Sequence, residues 1–237
     1  MLSTYKTILS HKVQLNSNTY LYHFDLLEPK EITFKAGQYL MLKVPSDKGP
    51  VSRLYSIASP NTVRNSFELI IGIIPGGLAS NYLISIKENT EIIFQGPAGI
   101  FGLKENNRPR IFLVTGTGIA PVLSMLKSQL QTSKTHLFWG LKTYKEIYLF
   151  DELKQFENVK ICLSREQNLK MIPGLDRKYF NLGHVDVCFM KQFNNETMKQ
   201  LNNFDFYLCG GRQIVESLKQ FLVAKNVPKE NIYFEKF

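Results

Sequence analysis

The sequence predicts two domains of different class, a β domain followed by an α/β domain. From residue 5 to about 103, apolar residues come in short runs divided by turn residues, which is typical of a β domain. After a polar, proline-bearing join at residues 104–110, buried strands alternate with helices, as they do in α/β architecture. A chain of 237 residues is long enough for two such units. We therefore expect one domain over residues 1–104 and another over residues 105–237.

The strands of the first half are short and are bounded by Gly, Pro, Asn and Asp. We predict them at residues 19–26 (TYLYHFDL), 37–44 (GQYLMLKV), 53–59 (RLYSIAS), 67–74 (FELIIGII) and 90–96 (TEIIFQG). Residues 73–83 (IIPGGLASNYL) predict a transition from strand to helix, since two glycines precede a helix-forming run.

The second half contains apolar runs that are typical of parallel strands covered on both faces. These runs are residues 110–116 (RIFLVTG), 136–140 (HLFWG), 159–164 (VKICLS) and 204–210 (FDFYLCG). A helix over 121–132 opens on a proline and places three apolar residues on one stripe: Val122, Leu126 and Leu130. A second helix over 213–226 has the stripe Ile214, Leu218, Phe221 and Leu222.

Composition argues against several classes of function. The 29 Lys and Arg outnumber the 20 Asp and Glu, but the cations are scattered with no basic run of five, so we do not expect nucleic-acid binding. The four histidines do not fall at metal-ligand spacing and no GxSxG turn occurs, so we expect neither a metal site nor serine hydrolysis. The net charge of +9 instead favours acidic proteins or nucleotides as partners.

Cysteine usage and hydropathy predict the compartment. Three widely spaced cysteines form neither a disulfide framework nor a CxxC metal motif, which favours a reducing environment. No run reaches the roughly 18 apolar residues of a membrane span, and residues 1–18 lack the apolar core of a signal peptide. We expect a cytoplasmic protein with no integral membrane segment.

Residues just after the parallel strands are the candidates for ligand binding, because ligands bind beyond the carboxyl ends of such strands. Residues 115–120 (TGTGIA) lie between a strand and a helix start, where backbone N–H groups could meet a pyrophosphate. Residues 209–211 (CGG) could admit a flat ring, and Ser164 with Arg165 could bind a ribose 2′-phosphate. A tight turn, a buried structural cysteine and a solvated loop are the structural alternatives for these three segments.

The first half offers a second possible anion site. Residues 53–59 mix a cation, an aromatic ring and hydroxyls, and as a strand they leave neither face cleanly apolar. The glycines at 76 and 77, followed by Ser80, precede a predicted helix and could bind a phosphate. A barrel edge and an ordinary turn are the alternatives.

Taken together, these motifs resemble the ferredoxin–NADP reductase superfamily of flavoenzymes. The segments RLYSIAS, GGLASNYL, GPAGIFGL, GTGIAP, SREQ, YLCGG and EKF occur in the family's order, and the resemblance runs nearly end to end. It implies a six-stranded antiparallel barrel that holds FAD and a five-stranded parallel sheet with flanking helices that holds NADPH or NADH.

For the flavin, the resemblance implies that Arg53 neutralises the pyrophosphate, Tyr55 packs on the isoalloxazine, and Ser56 bonds near flavin N5. Gly77 and Ser80 would grip the phosphates. The full set it implies for FAD is Arg53, Leu54, Tyr55, Ser56, Ile71, Gly76, Gly77, Leu78, Ala79 and Ser80.

For the nicotinamide nucleotide, the resemblance implies a phosphate cradle, a nicotinamide pocket and an acid-x-aromatic pair at Glu235 and Phe237, whose ring would cover the flavin. Ser56, Cys209, Glu235 and Phe237 are the implied catalytic residues. The implied nucleotide-binding residues are Thr115, Gly116, Gly118, Pro121, Ser164, Arg165, Cys209, Gly210 and Phe237.

The implied activity is hydride transfer from NAD(P)H to FAD, followed by release of single electrons to a separate acidic carrier such as a ferredoxin, a flavodoxin or an oxygenase component. The chain has no four-cysteine cluster motif of its own. We expect NADPH rather than NADH to be preferred, and a monomer. The alternatives are a reductase of free flavin and a nucleotide-binding module without turnover.

Overall fold

The computed structural model describes residues 2–129, 134–193 and 200–237, and the chain divides into two compact units. The first unit comprises Met1–Lys104 and Ala120–Leu130, and the second comprises Glu105–Ile119 and Gln131–Phe237. The segment that follows the 115–118 turn therefore belongs to the first unit by its contacts. In the chain, however, it lies between two segments of the second unit.

The first unit is a six-stranded antiparallel sheet, as predicted. Its strands are β1 (Ser3–Gln14), β2 (Thr19–Glu28), β3 (Tyr39–Val44), β4 (Val51–Ser56), β5 (Ser66–Gly72) and β6 (Glu91–Ala98), with helix α1 (Leu78–Ser85) between β5 and β6. The strand order is β4-β3-β6-β1-β2-β5.

The two edges of this sheet approach one another. Ile57, just after β4, forms a bridge with Leu69 of β5, and the Ala58 N–H donates to the carbonyl of Glu68 at 2.8 Å. Three phenylalanine rings from β2, β5 and β6, those of Phe24, Phe67 and Phe94, fill the interior at centroid distances of 4.9 to 5.4 Å. The sheet therefore curls around a single aromatic core.

The second unit is a six-stranded parallel sheet in the order β10-β9-β8-β7-β11-β12. Its strands are β7 (Arg110–Thr115), β8 (Thr135–Leu141), β9 (Val159–Leu163), β10 (Phe180–Leu182), β11 (Asp205–Gly210) and β12 (Ile232–Lys236). The helices in the second half of the chain are α2 (Ile119–Lys127), α3 (Phe150–Leu153), α4 (Val185–Gln192) and α5 (Arg212–Ala224).

The prediction of five parallel strands was wrong by one. The apolar runs identify β7, β8, β9 and β11, whereas both edge strands of the sheet lack a continuous apolar run. β10 has only three residues, and β12 alternates between more and less exposed side chains, as a strand with one solvent-facing side does. Edge strands of this kind give a weak sequence signal.

One predicted helix stripe also needs correction. Ile214 is nearly half exposed, while its neighbour Val215 is fully buried beside Leu218 and Leu222. The buried face of α5 therefore follows positions 215, 218 and 222, and Phe221 packs at its margin. In the other predicted stripe Val122 and Leu126 are buried as expected, and Leu130 lies outside the described residues.

A buried carboxylate ties the 104–110 join to the second sheet. Asp205, at the start of β11, is 1% exposed and lies 3.0 Å from Arg108 Nε. The side-chain amide of Asn106 donates to its other oxygen at 2.8 Å. Because a buried charge must be paired, these contacts fix the chain where it enters β7.

Across the described parts of the chain, no helix has both the length and the apolar character that a membrane crossing requires.

Candidate functional site

The first turn of α1 is built around two glycines. Gly76 has a φ of +74°, a region that side chains disfavour, and Gly77 is the N-cap residue. The Gly77 N–H donates to the carbonyl of Ile74 at 3.0 Å, and the Ile74 N–H donates to the buried Ser80 hydroxyl at 2.9 Å. A Cβ on Gly77 would lie only 3.1 Å from the Ile74 carbonyl oxygen. The turn therefore folds tightly at Gly77, whereas a Cβ on Gly76 would meet no atom within 4 Å.

The charge at this helix start suits an anion. The first amide groups of a helix have no acceptor within the helix, and the aligned peptide dipoles make that end partially positive. The first turn of α1, which includes Leu78, contains no acidic residue, and no side chain caps it. The predicted phosphate position is therefore a helix start without an acidic residue or a side-chain cap.

Strand β4 carries a cation, Arg53, and a phenol, Tyr55, two positions apart and therefore on the same face. Arg53 and Leu54 are exposed, whereas Tyr55 is half-buried against the core of the first unit. Burial raises the pKa of Tyr55, although the Arg53 guanidinium works against that shift, so the phenol remains protonated near neutral pH. Ser56 ends the strand opposite Tyr39.

The core of the first unit connects these candidates. Ile71 on β5 and Ala79 on α1 are buried members of the same cluster against which Tyr55 packs. Ile71 is only 2% exposed, so its side chain is a packing residue in this structure. The cluster therefore links strand β4 to the helix at whose start the phosphate position is predicted.

Two turns meet at the carboxyl edge of the second sheet. β7 and β11 are neighbours in parallel register, with Val114 opposite Cys209. A Cβ on Gly118 would clash with the carbonyl of Cys209 and lie 2.9 Å from the Gly210 nitrogen. Gly210 has a φ of +150°, and a Cβ there would overlap the Thr115 hydroxyl. Only glycine permits this backbone-to-backbone approach.

Two buried hydrogen-bond donors from distant parts of the sequence hold the 116–118 turn. The Gly116 carbonyl accepts the indole N–H of Trp139 at 2.9 Å and the hydroxyl of Tyr148 at 3.3 Å. Burial raises the pKa of Tyr148 strongly, so its hydroxyl remains a donor. Neither residue is among the predicted site residues, because they lie 23 and 32 positions from Gly116 and belong to no local motif.

Cys209 and its surroundings form the middle of this edge. The thiol is 1% exposed, and burial raises its pKa well above the ordinary value, with the Glu235 charge adding to the shift. Glu235 lies opposite Cys209 in the register of β11 and β12. The Phe237 N–H donates to the Gly210 carbonyl at 3.2 Å, while its ring is 61% exposed. A neutral thiol and an exposed aromatic ring therefore border one glycine turn.

Ser164 and Arg165 lie farther along the same edge, at the end of β9, with β8 between them and β7. The Ser164 hydroxyl donates to the carbonyl of Leu141 at 3.2 Å, so its proton is already engaged. The Arg165 backbone N–H donates to the Lys142 carbonyl at 2.8 Å, and its side chain is exposed. Of this pair, the guanidinium is the group available to bind an anion in this conformation.

The structure therefore separates the candidates into three sets. Thr115, Gly118, Cys209, Gly210 and Phe237 converge on one edge, while Ser164 with Arg165 and the α1 start form the others. Pro121 is buried in the first turn of α2. Among the described residues, no group of three or more His, Cys, Asp or Glu side chains could hold a metal ion.

Family models match both halves of the chain. Residues 6–102 match the oxidoreductase FAD-binding domain, and residues 112–220 match the oxidoreductase NAD-binding domain. The toluate 1,2-dioxygenase electron transfer component of Pseudomonas putida is 30% identical, over 98% of this chain and 67% of that protein. The anthranilate 1,2-dioxygenase electron transfer component of Acinetobacter baylyi is 27% identical, over 98% and 66%. The chain spans between 57% and 67% of the length of the curated relatives that it matches.

Solved structures share the fold. A ferredoxin NADP+ reductase from Neisseria gonorrhoeae with bound FAD and NADP superposes with a TM-score of 0.79 at 19% identity, over 99% of this chain and 98% of that one. An Amycolatopsis cytochrome P450 reductase gives a TM-score of 0.84 at 21% identity, over 100% and 70%. Both likenesses extend across the two units.

We predict that Gly118→Ala weakens NADPH or NADH binding about tenfold and lowers the free energy of unfolding by about 1–3 kcal/mol, because the added methyl group must displace the 209–210 backbone. Nucleotide titration and denaturant unfolding measure the two effects. Gly174→Ala is the matched control, since its Cβ would meet no atom within 4 Å. Wild-type affinity and stability in the Gly118 variant would contradict the close approach of the two turns.

Proposed function

Because the chain belongs to the ferredoxin–NADP reductase superfamily, we propose that it is an FAD-dependent NAD(P)H oxidoreductase that passes electrons to a separate carrier. The observation that carries this proposal is the pair of glycine turns at the carboxyl edge of the second sheet. Gly118 packs against the Cys209 carbonyl there, while a Cβ on Gly116 or Gly211 would meet no atom within 4 Å, which leaves open space for a flat ring. We further propose residues 1–104 as the FAD-binding domain and 105–237 as the NAD(P)H-binding domain, in line with the matched ranges 6–102 and 112–220.

The residues of the first unit fit FAD. The diphosphate needs donors and positive charge, and the α1 start supplies backbone N–H groups at a glycine turn that no side chain fills. Arg53 supplies an exposed guanidinium on β4. The half-buried phenol of Tyr55, which burial keeps protonated, offers a flat face and a donor for the flavin ring.

The residues of the second unit fit a nicotinamide nucleotide. The 115–118 turn, anchored through the Gly116 carbonyl, presents backbone groups to the phosphates. The neutral thiol of Cys209 can lie against the nicotinamide without placing a charge beside it. The exposed ring of Phe237, whose backbone N–H is bonded to the Gly210 carbonyl, offers a flat apolar face for ring stacking.

When both cofactors are bound, the nicotinamide supplies a hydride and the flavin can release the two electrons singly. The chain's own contribution is placement. Transfer requires reacting atoms about 3–3.5 Å apart, and we assign the alignment to Tyr55, Ser56 and Cys209. We propose that Glu235 stabilises positive charge that develops on the nicotinamide, because its carboxylate already influences the Cys209 thiol electrostatically.

We predict that the purified protein is yellow, retains its colour through gel filtration, and loses its flavin absorbance when NADPH or NADH is added without oxygen. Absorbance spectroscopy provides the readout, and turnover with ferricyanide tests for catalysis. A reductase of free flavin would lose its colour on the column, and a binding module would show no turnover. A colourless preparation that FAD cannot reconstitute would overturn the proposal.

The proposed acceptor is an acidic protein, a ferredoxin, a flavodoxin or an oxygenase component. Two observations support it: the net charge of +9 and the kinship with electron transfer components of dioxygenases. We propose that the protein acts as a cytoplasmic monomer.

We predict that reduction of an acidic ferredoxin slows by about tenfold between roughly 0.05 and 0.5 M salt, because ions screen the attraction that steers the two proteins together. Stopped-flow kinetics measure the rate, and benzoquinone, an uncharged acceptor, is the control. A slow rate that does not respond to salt would argue against an acidic partner.

Cofactor preference depends, in our proposal, on Arg165. We predict that Arg165→Ala lowers the ratio of kcat/KM for NADPH to that for NADH by about tenfold, which corresponds to about 1.4 kcal/mol. Steady-state kinetics with both nucleotides test it. Arg64→Ala removes a similarly exposed guanidinium from the first unit and serves as the control. An unchanged ratio would remove Arg165 from this role.

A further inference from the structure

Two residues of the first unit's sheet hold the last turn of α1. They lie opposite each other on neighbouring strands. Lys12 on β1 and Tyr22 on β2 are partners in the antiparallel register. The Lys12 ammonium group donates to the carbonyls of Ile84 and Ile86 at 2.8 and 2.9 Å. The Tyr22 hydroxyl donates to the carbonyl of Leu83 at 3.2 Å. One cross-strand pair thus satisfies three carbonyls at the end of the helix.

The helix cannot supply these contacts itself. Its last turn contains no basic residue, although the carbonyls at this end are partially negative and favour a cation. Eight residues are too few for a helix to be stable alone, so its position depends on tertiary contacts. Lys12 provides the missing cation from a strand that lies 72 residues earlier in the chain.

Tyr22 makes this anchor rigid. Its side chain is fully buried, and its ring stacks with Phe24 at 6.3 Å in the core of the first unit. Burial also raises the pKa of Tyr22 strongly, so the hydroxyl keeps the proton that it donates to Leu83. The end of the helix is therefore fixed to the buried aromatic core of the first unit.

The opposite end of the same helix is the phosphate position. Gly77 caps it and Ser80 accepts the Ile74 N–H, so that the first-turn amides lie one helix length from Lys12. At 1.5 Å per residue that length is about 12 Å. Because a short helix moves as a rigid body, a tilt at the Lys12 end displaces the amides at the other end.

We infer that Lys12 is a positioning residue for the FAD diphosphate, acting through α1 without touching the cofactor. This inference rests on the proposed function. In this inference, Lys12 and Tyr22 orient the helix, and the 77–80 turn contacts the phosphate.

Titration of apoprotein with FAD and with riboflavin, followed by flavin fluorescence, tests the inference. Riboflavin lacks the diphosphate, so a loss of phosphate positioning weakens FAD alone. We expect Lys12→Met to raise the Kd for FAD about tenfold and to change the Kd for riboflavin less than about twofold. We expect Lys12→Arg to lie within about threefold of wild type, because a guanidinium can reach the same carbonyls.

Lys6→Met is the matched control, since Lys6 lies on the same strand and pairs with Glu28 at the surface. It should bind FAD as wild type does. Tyr22→Phe removes the bond to Leu83 while keeping the ring, and it should weaken FAD selectively in the same way as Lys12→Met. It provides an independent test if the Lys12→Met protein does not fold.

Equal losses of FAD and riboflavin affinity in these variants, or wild-type FAD affinity in both, would overturn the inference. Wild-type protein that binds neither flavin would overturn the proposed function and this inference with it. Normal binding by wild type, with no FAD-selective loss in the variants, would overturn the role of Lys12 alone.

Discussion

The close approach of two backbone turns is the constraint on which the second unit's site depends. Neighbouring parallel strands lie about 4.8 Å apart, so the turns that follow β7 and β11 must pass each other within that spacing. At Gly118 and Gly210 they do so with no room for a Cβ. Backbone groups therefore line this edge in place of side chains, and the Thr115 hydroxyl and the Cys209 thiol stand immediately beside them. The glycines thus set the shape of the edge, and the Thr115 hydroxyl and the Cys209 thiol supply its side-chain functional groups.

The glycine turn of the second unit, and the helix that follows the glycine turn of the first unit, are each held by donors that lie far from them in sequence. In the second unit, Trp139 and Tyr148 converge on the Gly116 carbonyl. In the first, Lys12 and Tyr22 converge on the far end of α1. A glycine-rich turn is flexible by composition, so its geometry must be imposed from outside. In each unit, a buried aromatic residue with a polar group supplies part of that restraint, and its packing fixes the direction of the donor.

The fold class and the glycine positions could be predicted from the sequence because their signals are local. Apolar runs with turn residues identify most strands, and Gly118 and Gly210 stand just after two of them. β1 was not among the predicted strands, because its alternating buried positions 5, 7 and 9 include the polar Thr7, while the apolar Val13 is exposed. The anchors could not be predicted, since the bond from Lys12 to Ile84 spans 72 residues. Only the folded sheet brings such partners together.

The protonation states of Tyr55 and Cys209, one in each candidate site, favour a role in positioning cofactors over a role in proton transfer. Burial raises the pKa of Tyr55 in the first unit and of Cys209 in the second, so both groups are neutral near neutral pH. A general base must instead have a pKa near the operating pH and reach the reacting proton. In the proposed function, the polar groups of this chain act as fixed donors and neutral surfaces, and Arg53 supplies a counter-charge. Hydride transfer between two bound cofactors needs no acid or base from the protein, and it is a reaction that such a site can promote by alignment alone.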